Sequence, residues 1–254
     1  MPTNPSDPPP RRGGASPGGS AEPTHRLSVF PRRSGIGART YYFDSRRTLF
    51  PGVTIPLRSM LVAASEHQFL ISPVGTAEEA AQIAAPPLIL IAPSLLHHLH
   101  FAEAIERYHP VALWGPPGLA ERNPELGRVY MFGIDAWPYG HQLEYVLLGG
   151  APQREEVVVF HRVTRTLYTA DLCFHIREPE GFLAPLAFRM MGVHRRFAVP
   201  KMWRHWVSDR AAFARSIDEI LAWDFDRIVV AHGDVVEHNA REQLWAALRE
   251  RHLH

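Results

Sequence analysis

The chain has 254 residues, of which 46% are hydrophobic, and this is enough to bury one sizeable core. Its 27 basic and 26 acidic residues leave a formal charge of +1, which provides no general attraction to nucleic acid or to an anionic membrane. The single cysteine excludes an internal disulfide framework, and the longest apolar runs stop short of the ~18 residues of a transmembrane segment. We therefore expect a soluble, cytoplasmic protein whose partner is a small-molecule ligand or substrate.

Residues 1–40 are rich in proline and glycine and contain almost no aliphatic run. A segment of this composition cannot bury enough apolar surface to offset the entropy lost on ordering, which predicts a disordered N-terminal tail. Residues 41–254 contain no further linker of proline, glycine and serine and no internal repeat. The sequence therefore predicts one domain after the tail.

The first half of this domain alternates between strands and helices. Two apolar runs, Ser59–Ala63 and Gln68–Ser72, flank a short polar stretch and predict an antiparallel hairpin. Thr76–Ala84 begins with a threonine that can cap a helix and has two glutamates in its first turn, which predicts a helix before strand Leu88–Ile91. Helix Phe101–Tyr108 and strand Val111–Trp114 are predicted next.

The second half begins with three strand-like segments separated by short gaps, which is typical of an antiparallel meander. These segments are Gln142–Leu148, Glu155–Phe160 and Thr166–Thr169. A helical insertion near residues 181–223, a strand Ile228–Ala231 and a closing helix from Asn239 to Leu253 complete the order. Two halves that each contain strands and helices predict an α/β fold, a four-layered αββα sandwich.

Two of the predicted strands run into residues that can bind a metal or transfer a proton. The apolar stretch beginning at Thr166 ends in Asp171, and the stretch beginning at Arg227 ends in His232. Side chains at strand ends are held rigidly by the sheet, which suits metal ligation or acid–base catalysis. Taken alone, the same residues also fit a structural histidine and an aspartate that caps a loop.

Four short segments combine in an order and spacing that is more specific than any one of them: Pro93–Leu99, Phe160–Arg162, Thr169–Leu172 and Val230–Asp234. Together they resemble the metallo-β-lactamase-fold superfamily and, within it, the family described as domain of unknown function 4336. The resemblance runs from about Val53 to the end of the chain. It implies the αββα fold, and it implies that Asp171 matches the bridging aspartate of the superfamily and His232 its last histidine.

Enzymes of that superfamily carry a His-x-His-x-Asp-His motif after an early strand, and the pair His97 and His98 matches the last two positions of this motif. The two earlier histidine positions hold proline and leucine here, and the loop Gly149–Arg154 lacks the further histidine expected in it. The resemblance therefore implies a degenerate metal motif. It offers as ligands His98, Asp171 and His232, with His97 as an additional candidate.

Three protein ligands and an open position suit a catalytic zinc or another divalent ion, which lowers the pKa of a water molecule toward neutrality. The resemblance thus implies a single-metal hydrolase that acts on an ester, amide or thioester, with Asp171 and His232 as catalytic residues. The alternative is a catalytically inactive protein that binds a ligand in the degenerate pocket with no metal cofactor.

Two further features are candidates for contact with a ligand. His161 and Arg162 precede the strand that leads to Asp171, and a guanidinium offers a fork of donors that matches carboxylate or phosphate. Residues 181–210 interleave Met, Trp and Phe with Arg, which is typical of an amphipathic lid and equally of helices packed over a sheet with a basic outer edge.

Overall fold

In the computed structural model, which describes residues 27–29, 39–74 and 87–254, two β-sheets form the centre of the molecule. Among the described residues, the first sheet contains seven strands that lie side by side in chain order. They are β1 (Leu27–Val29), β2 (Arg39–Phe50), β3 (Val53–Ala63), β4 (Gln68–Ile71), β5 (Leu88–Ile91), β6 (Ala112–Gly115) and β7 (Tyr130–Met131). The pairings from β1 to β4 are antiparallel, and those from β4 to β7 are parallel.

Among the described residues, the second sheet has five strands. They are β8 (Glu144–Leu147), β9 (Val157–His161), β10 (Thr166–Ile176), β11 (Arg196–Ala198) and β12 (Arg227–Gly233). Strands β8, β9 and β10 form the antiparallel meander that the sequence predicts. Strand β12 pairs parallel to β10, but the register shifts between Thr169 and Phe174. Asp171 lies in this irregular stretch of β10.

Helices cover the outer faces of both sheets. They are α1 (Phe101–Tyr108), α2 (Pro117–Arg122), α3 (Ala184–Met191), α4 (Trp203–Trp206), α5 (Arg210–Ala222) and α6 (Ala240–Glu250). Short 3-10 turns follow α2 at Pro124–Leu126 and β9 at Arg162–Thr164. In the described parts of the chain, none of these helices is both long enough and apolar enough to cross a membrane.

Separate hydrophobic clusters join the layers. The cluster between the two sheets contains Met60, Phe69, Ile91, Trp114, Tyr168 and Val229. Phe101 of α1 packs with Leu61 and Leu90 on the outer face of the first sheet. Phe213 of α5 and Leu244 of α6 pack in the same way over the second sheet. Each fully buried side chain of this size contributes on the order of 2 kcal/mol, so these clusters stabilise the layered arrangement. The predicted four-layered αββα sandwich is confirmed.

Most predicted elements have counterparts in the structure. The predicted hairpin is the pair β3 and β4, in which Met60 lies opposite Ile71. Strand β10 extends to Ile176, seven residues beyond the predicted end at Thr169. The insertion contains the expected helices but also β11, which pairs with the end of β10 through Phe174 and Ala198.

Two predictions involve segments next to the ends of the described ranges. The predicted helix Thr76–Ala84 lies outside the described residues. Leu27–Val29, inside the segment predicted as a disordered tail, pair antiparallel with Tyr41–Phe43 of β2. Residues 1–26 and 30–38 lie outside the described part of the chain, where the disordered tail stays a prediction.

Candidate metal centre

Three side chains from distant parts of the chain meet at one point. His97 lies in the turn between β5 and α1, Asp171 in the irregular stretch of β10, and His232 near the end of β12. The Nε2 atoms of His97 and His232 lie 3.6 Å and 3.5 Å from Oδ1 of Asp171. One ligand atom from each residue lies within 4.8 Å of the other two, so the group could hold a metal ion.

The separations and the donor types both fit a metal ion. Two ligand atoms that each lie about 2.0–2.1 Å from zinc at the tetrahedral angle are about 3.3 Å apart, close to the 3.5 Å and 3.6 Å found between Asp171 and the two histidines. Zinc accepts imidazole and carboxylate ligands, and two histidines with one carboxylate are also the donor set of many non-haem iron(II) sites. The residues therefore fit zinc or iron.

The other ring nitrogen of each histidine is engaged by the surrounding protein. Nδ1 of His232 lies 3.0 Å from the backbone carbonyl of Pro56, which can only accept, so Nδ1 donates and the Nε2 of the neutral ring carries a lone pair. Nδ1 of His97 lies 2.8 Å from the hydroxyl of Ser72. Metal-binding histidines generally have such outer partners, which orient the ring and fix its tautomer.

Asp171 is held by contacts to both its side chain and its backbone. The hydroxyl of Ser94 donates to Oδ2 of Asp171 at 3.3 Å, and the indole N–H of Trp203 donates to its carbonyl at 2.8 Å. Burial by itself would raise the pKa of the Asp171 carboxyl, but the adjacent imidazoles of His97 and His232 outweigh burial and hold the pKa well below its usual range. The carboxylate therefore stays ionised at neutral pH.

The irregular stretch of β10 is supported by Glu156, a residue that sequence reasoning did not select. The carboxyl of Glu156 is fully buried and accepts the backbone N–H groups of Ala170 and Asp171 at 2.8 Å and 3.0 Å. These two donors lie where β10 has no regular partner on β12, so Glu156 satisfies them. Burial, together with the negative charge of Asp171, raises the pKa of Glu156 to about 8.

The three converging residues line a cleft of about 460 Å³ whose other walls are largely apolar. The first sheet and the turn after β5 contribute Leu49, Ile55, Leu57, Leu96 and Leu99. The insertion contributes Met191, Pro200, Met202 and Trp206. The predicted insertion thus forms one wall of the cleft, while Trp203 beside it is fully buried in the core.

Solved structures with a similar arrangement include two metallo-β-lactamases. The protein from Pontibacter korlensis is 17% identical over 88% of this chain and 99% of its own, with a TM-score of 0.56. The protein from Erythrobacter litoralis is 19% identical over 88% and 96%, with a TM-score of 0.53. A flavo-diiron protein from Thermotoga maritima is 11% identical over 89% and 61%, with a TM-score of 0.60. This chain has the metallo-β-lactamase fold.

No protein-family model matches the sequence, and no curated protein matches it. The narrower resemblance to the domain of unknown function 4336 is therefore not confirmed. At identities below 20%, the similar structures establish the metallo-β-lactamase fold, and the chemistry of the site is inferred from the residues of this chain.

Within this metallo-β-lactamase fold, the geometry reverses the sequence-based preference between the two adjacent histidines. His98, the first choice, lines the cleft but does not join the group that His97 forms with Asp171 and His232. Its Nδ1 is buried and has no hydrogen-bond partner among the described residues. Neighbouring residues in a turn project in different directions, so only one of the pair can face Asp171.

His161 and Arg162 do not belong to the cleft, contrary to the expectation of a ligand-binding pair. His161 is buried, and its Nδ1 lies 2.8 Å from the hydroxyl of Thr164. Arg162 is exposed and forms an ion pair with Glu144 at 2.7 Å. His161 lies opposite Thr166 on β10, and Asp171 is five residues further along, a distance of roughly 16 Å at ~3.3 Å per residue.

Proposed function

We propose that this chain is a metal-dependent hydrolase with a single-metal site, in which His97, Asp171 and His232 bind one zinc or another divalent ion. The observation that carries the proposal is the convergence of three donor atoms within 4.8 Å of one another. The outer hydrogen bonds of both histidines support it, because they direct Nε2 toward the common point. The degenerate His-x-His-x-Asp-His motif supports one ion rather than two.

The residues of the chain prepare the cleft for hydrolysis of an acyl bond. When bound, a divalent ion polarises a carbonyl and lowers the pKa of a water molecule. Asp171 supplies a permanent negative charge between the two imidazoles, which compensates the charge of a cation there. The apolar walls around Leu57 and Met202 exclude bulk water, which strengthens these electrostatic interactions.

The proposed substrate is an ester, amide or thioester with an apolar portion. The lining of the cleft is dominated by aliphatic side chains and methionines, which pack against an apolar portion of a substrate. A volume of about 460 Å³ lies in the ordinary range of small-molecule sites.

Metal content and turnover together test this proposal. Protein purified with no chelator is expected to contain about one zinc or iron ion per chain, and to hydrolyse 4-nitrophenyl butyrate or a short thioester. EDTA should abolish turnover, zinc or iron(II) should restore it, and Asp171→Asn should lose both the ion and the turnover. Replacing His205, which lies outside the cleft, with alanine should change neither. Less than a tenth of an ion per chain, with turnover unaffected by EDTA, would contradict the proposal.

A second candidate is a metal-free binding protein that uses the same cleft. It is favoured by the position of Asp171, whose Oδ1 lies 3.6 Å and 3.5 Å from Nε2 of His97 and His232, so the three side chains interact with one another directly. This candidate predicts that thermal stability is unchanged by EDTA and by added zinc. A rise in melting temperature with zinc that Asp171→Asn abolishes would exclude it.

A further inference from the structure

Arg154 is an unpaired cation in the wall of the cleft. It lies in the loop between β8 and β9, it is half-buried, and it lines the cleft together with Asp171. Its Nε is buried and has no partner, and among the described residues its guanidinium forms no hydrogen bond or ion pair. Its guanidinium carbon lies 3.4 Å from the ring centroid of Trp206, so the indole stacks on one face of the cation.

This lack of a partner distinguishes Arg154 from the other arginines with buried side chains. Arg58 pairs with Asp44, Arg227 with Glu237, and Arg251 donates to the backbone carbonyls of Val199 and Gly192. A guanidinium has five N–H donors, and leaving a buried one unsatisfied, as at Nε of Arg154, is costly. Burial lowers the pKa of Arg154, and the carboxylates of Asp171 and Glu156 offset this only in part. An anion from a ligand would satisfy these donors.

The loop that carries Arg154 is fixed before any ligand binds. The carbonyl of Arg154 accepts the N–H of Leu95 at 3.2 Å, and its N–H donates to the carbonyl of Ala151 at 3.0 Å. Gly150 has a φ of 72° and lies against the backbone of Asp209, an approach that a side chain would prevent. Together with the stacking on Trp206, these contacts hold the guanidinium in place, which lowers the entropic cost of binding an anion.

We propose that Arg154 binds an oxyanionic group of the ligand, a carboxylate or a phosphate, while an apolar chain of the same ligand occupies the aliphatic part of the cleft. The identity of the ligand as a substrate rests on the proposed function: the ester, amide or thioester would carry a separate anionic group. The binding of an anion by Arg154 does not require a metal in the protein. The planar fork of the guanidinium matches both kinds of oxyanion, and the adjacent leucines and methionines match the chain.

Titration calorimetry in the presence of EDTA tests the binding step with three eight-carbon probes. Octanoate and octyl phosphate carry the two oxyanions, and octanol is the neutral comparison. We expect at least one of the two anions to bind at least tenfold more strongly than octanol. Whichever anion binds more tightly shows whether the site prefers a carboxylate or a phosphate. Arg154→Gln should remove this preference, and Arg154→Lys should retain part of it, because lysine keeps the charge but not the fork.

Arg122, exposed at the end of α2 and outside the cleft, provides the matched control, so Arg122→Gln should keep the preference for the anion. The proposal is overturned if octanol binds to the wild-type protein as tightly as both anions, if Arg154→Gln binds like the wild type, or if Arg122→Gln loses the preference. Should Arg154→Gln fail to fold, the wild-type comparison and Arg154→Lys still decide. Because these binding measurements are made in EDTA, a negative result would count against the role of Arg154 alone. The proposed function is tested separately, by metal content and turnover.

Discussion

The indole N–H of Trp203 donates a 2.8 Å hydrogen bond to the backbone carbonyl of Asp171. One residue belongs to the predicted insertion and the other to the candidate metal centre, so the insertion directly supports the centre. Trp203 is fully buried and its ring contacts those of Trp206 and Phe213. The insertion is therefore part of the core at this point, while its neighbour Met202 forms the wall of the cleft.

Replacing Trp203 with phenylalanine should destabilise the protein by about 2 kcal/mol or more, because the buried carbonyl of Asp171 loses its partner and a small void forms. Urea unfolding measures this change. Trp245 is 42% exposed, so Trp245→Phe should alter the free energy of unfolding by less than about 0.5 kcal/mol. Equal effects of the two substitutions would show that the hydrogen bond to Asp171 contributes little.

The two adjacent histidines should differ sharply in their effect on metal affinity. His97→Ala removes one of three converging donors and is expected to weaken zinc binding at least a hundredfold, since two ligands alone hold zinc poorly. His98→Ala should weaken it by less than tenfold. Competition against a chromophoric chelator measures both affinities. The opposite ranking would restore the sequence-based preference for His98.

Acid should destabilise the protein through His161. Burial lowers the pKa of His161 to about 4, whereas an unfolded histidine titrates near 6.5. Between these values the unfolded chain binds more protons than the folded one, so stability falls as the pH drops below 6.5. From pH 7.5 to pH 5 the loss from this residue is about 2 kcal/mol.

Urea unfolding at pH 7.5 and pH 5 tests this linkage. His161→Gln keeps a polar group near Thr164 but cannot titrate, so its loss of stability between the two pH values should be about 2 kcal/mol smaller than that of the wild type. The exposed His238 is the control, and His238→Gln should show the wild-type loss. An unchanged pH dependence in His161→Gln would mean that His161 titrates normally in the fold.

Two glycines with nearly the same positive φ should tolerate alanine very differently. A Cβ at Gly150, where φ is 72°, would lie 2.0 Å from the backbone oxygen of Asp209, whereas a Cβ at Gly127, where φ is 73°, meets nothing within 4 Å. Gly127→Ala should cost about 2 kcal/mol, because its φ of 73° with a ψ of −141° is a backbone conformation that residues other than glycine rarely adopt. Gly150→Ala should cost at least 2 kcal/mol more, and it should also weaken octanoate binding by moving the loop of Arg154. Equal costs in urea unfolding would contradict the close approach.

The fold could be predicted because the spacing of apolar residues within each short segment indicates a strand or a helix. The predicted strand Leu88–Ile91 and the predicted helix Phe101–Tyr108 have the same bounds in the structure. The orientation of His97 and His98 could not be predicted in this way. They lie in a turn, where no helical or strand period fixes the direction of a side chain.

Burial and partners beyond the local sequence explain the other differences. The sequence predicts His161 as a ligand contact, but Thr40, 121 residues away in the chain, and Thr164 contact its Nδ1 and His161 is buried. Glu156 gave a usable signal, since a carboxyl directly before the apolar run Val157–Phe160 has to find buried donors. For Arg154 there was no such signal, because its unpaired state depends on the tertiary packing around it.

The two sheets contribute unequally to the candidate metal centre. Asp171 and His232 belong to adjacent strands of one sheet, so the backbone sets their spacing, whereas His97 reaches them from the turn after β5 of the other sheet. A small slide of one sheet over the other would carry His97 away and leave the remaining pair intact. Substitutions at the interface between the sheets, such as at Ile91 or Val229, should therefore tune ion affinity from a distance.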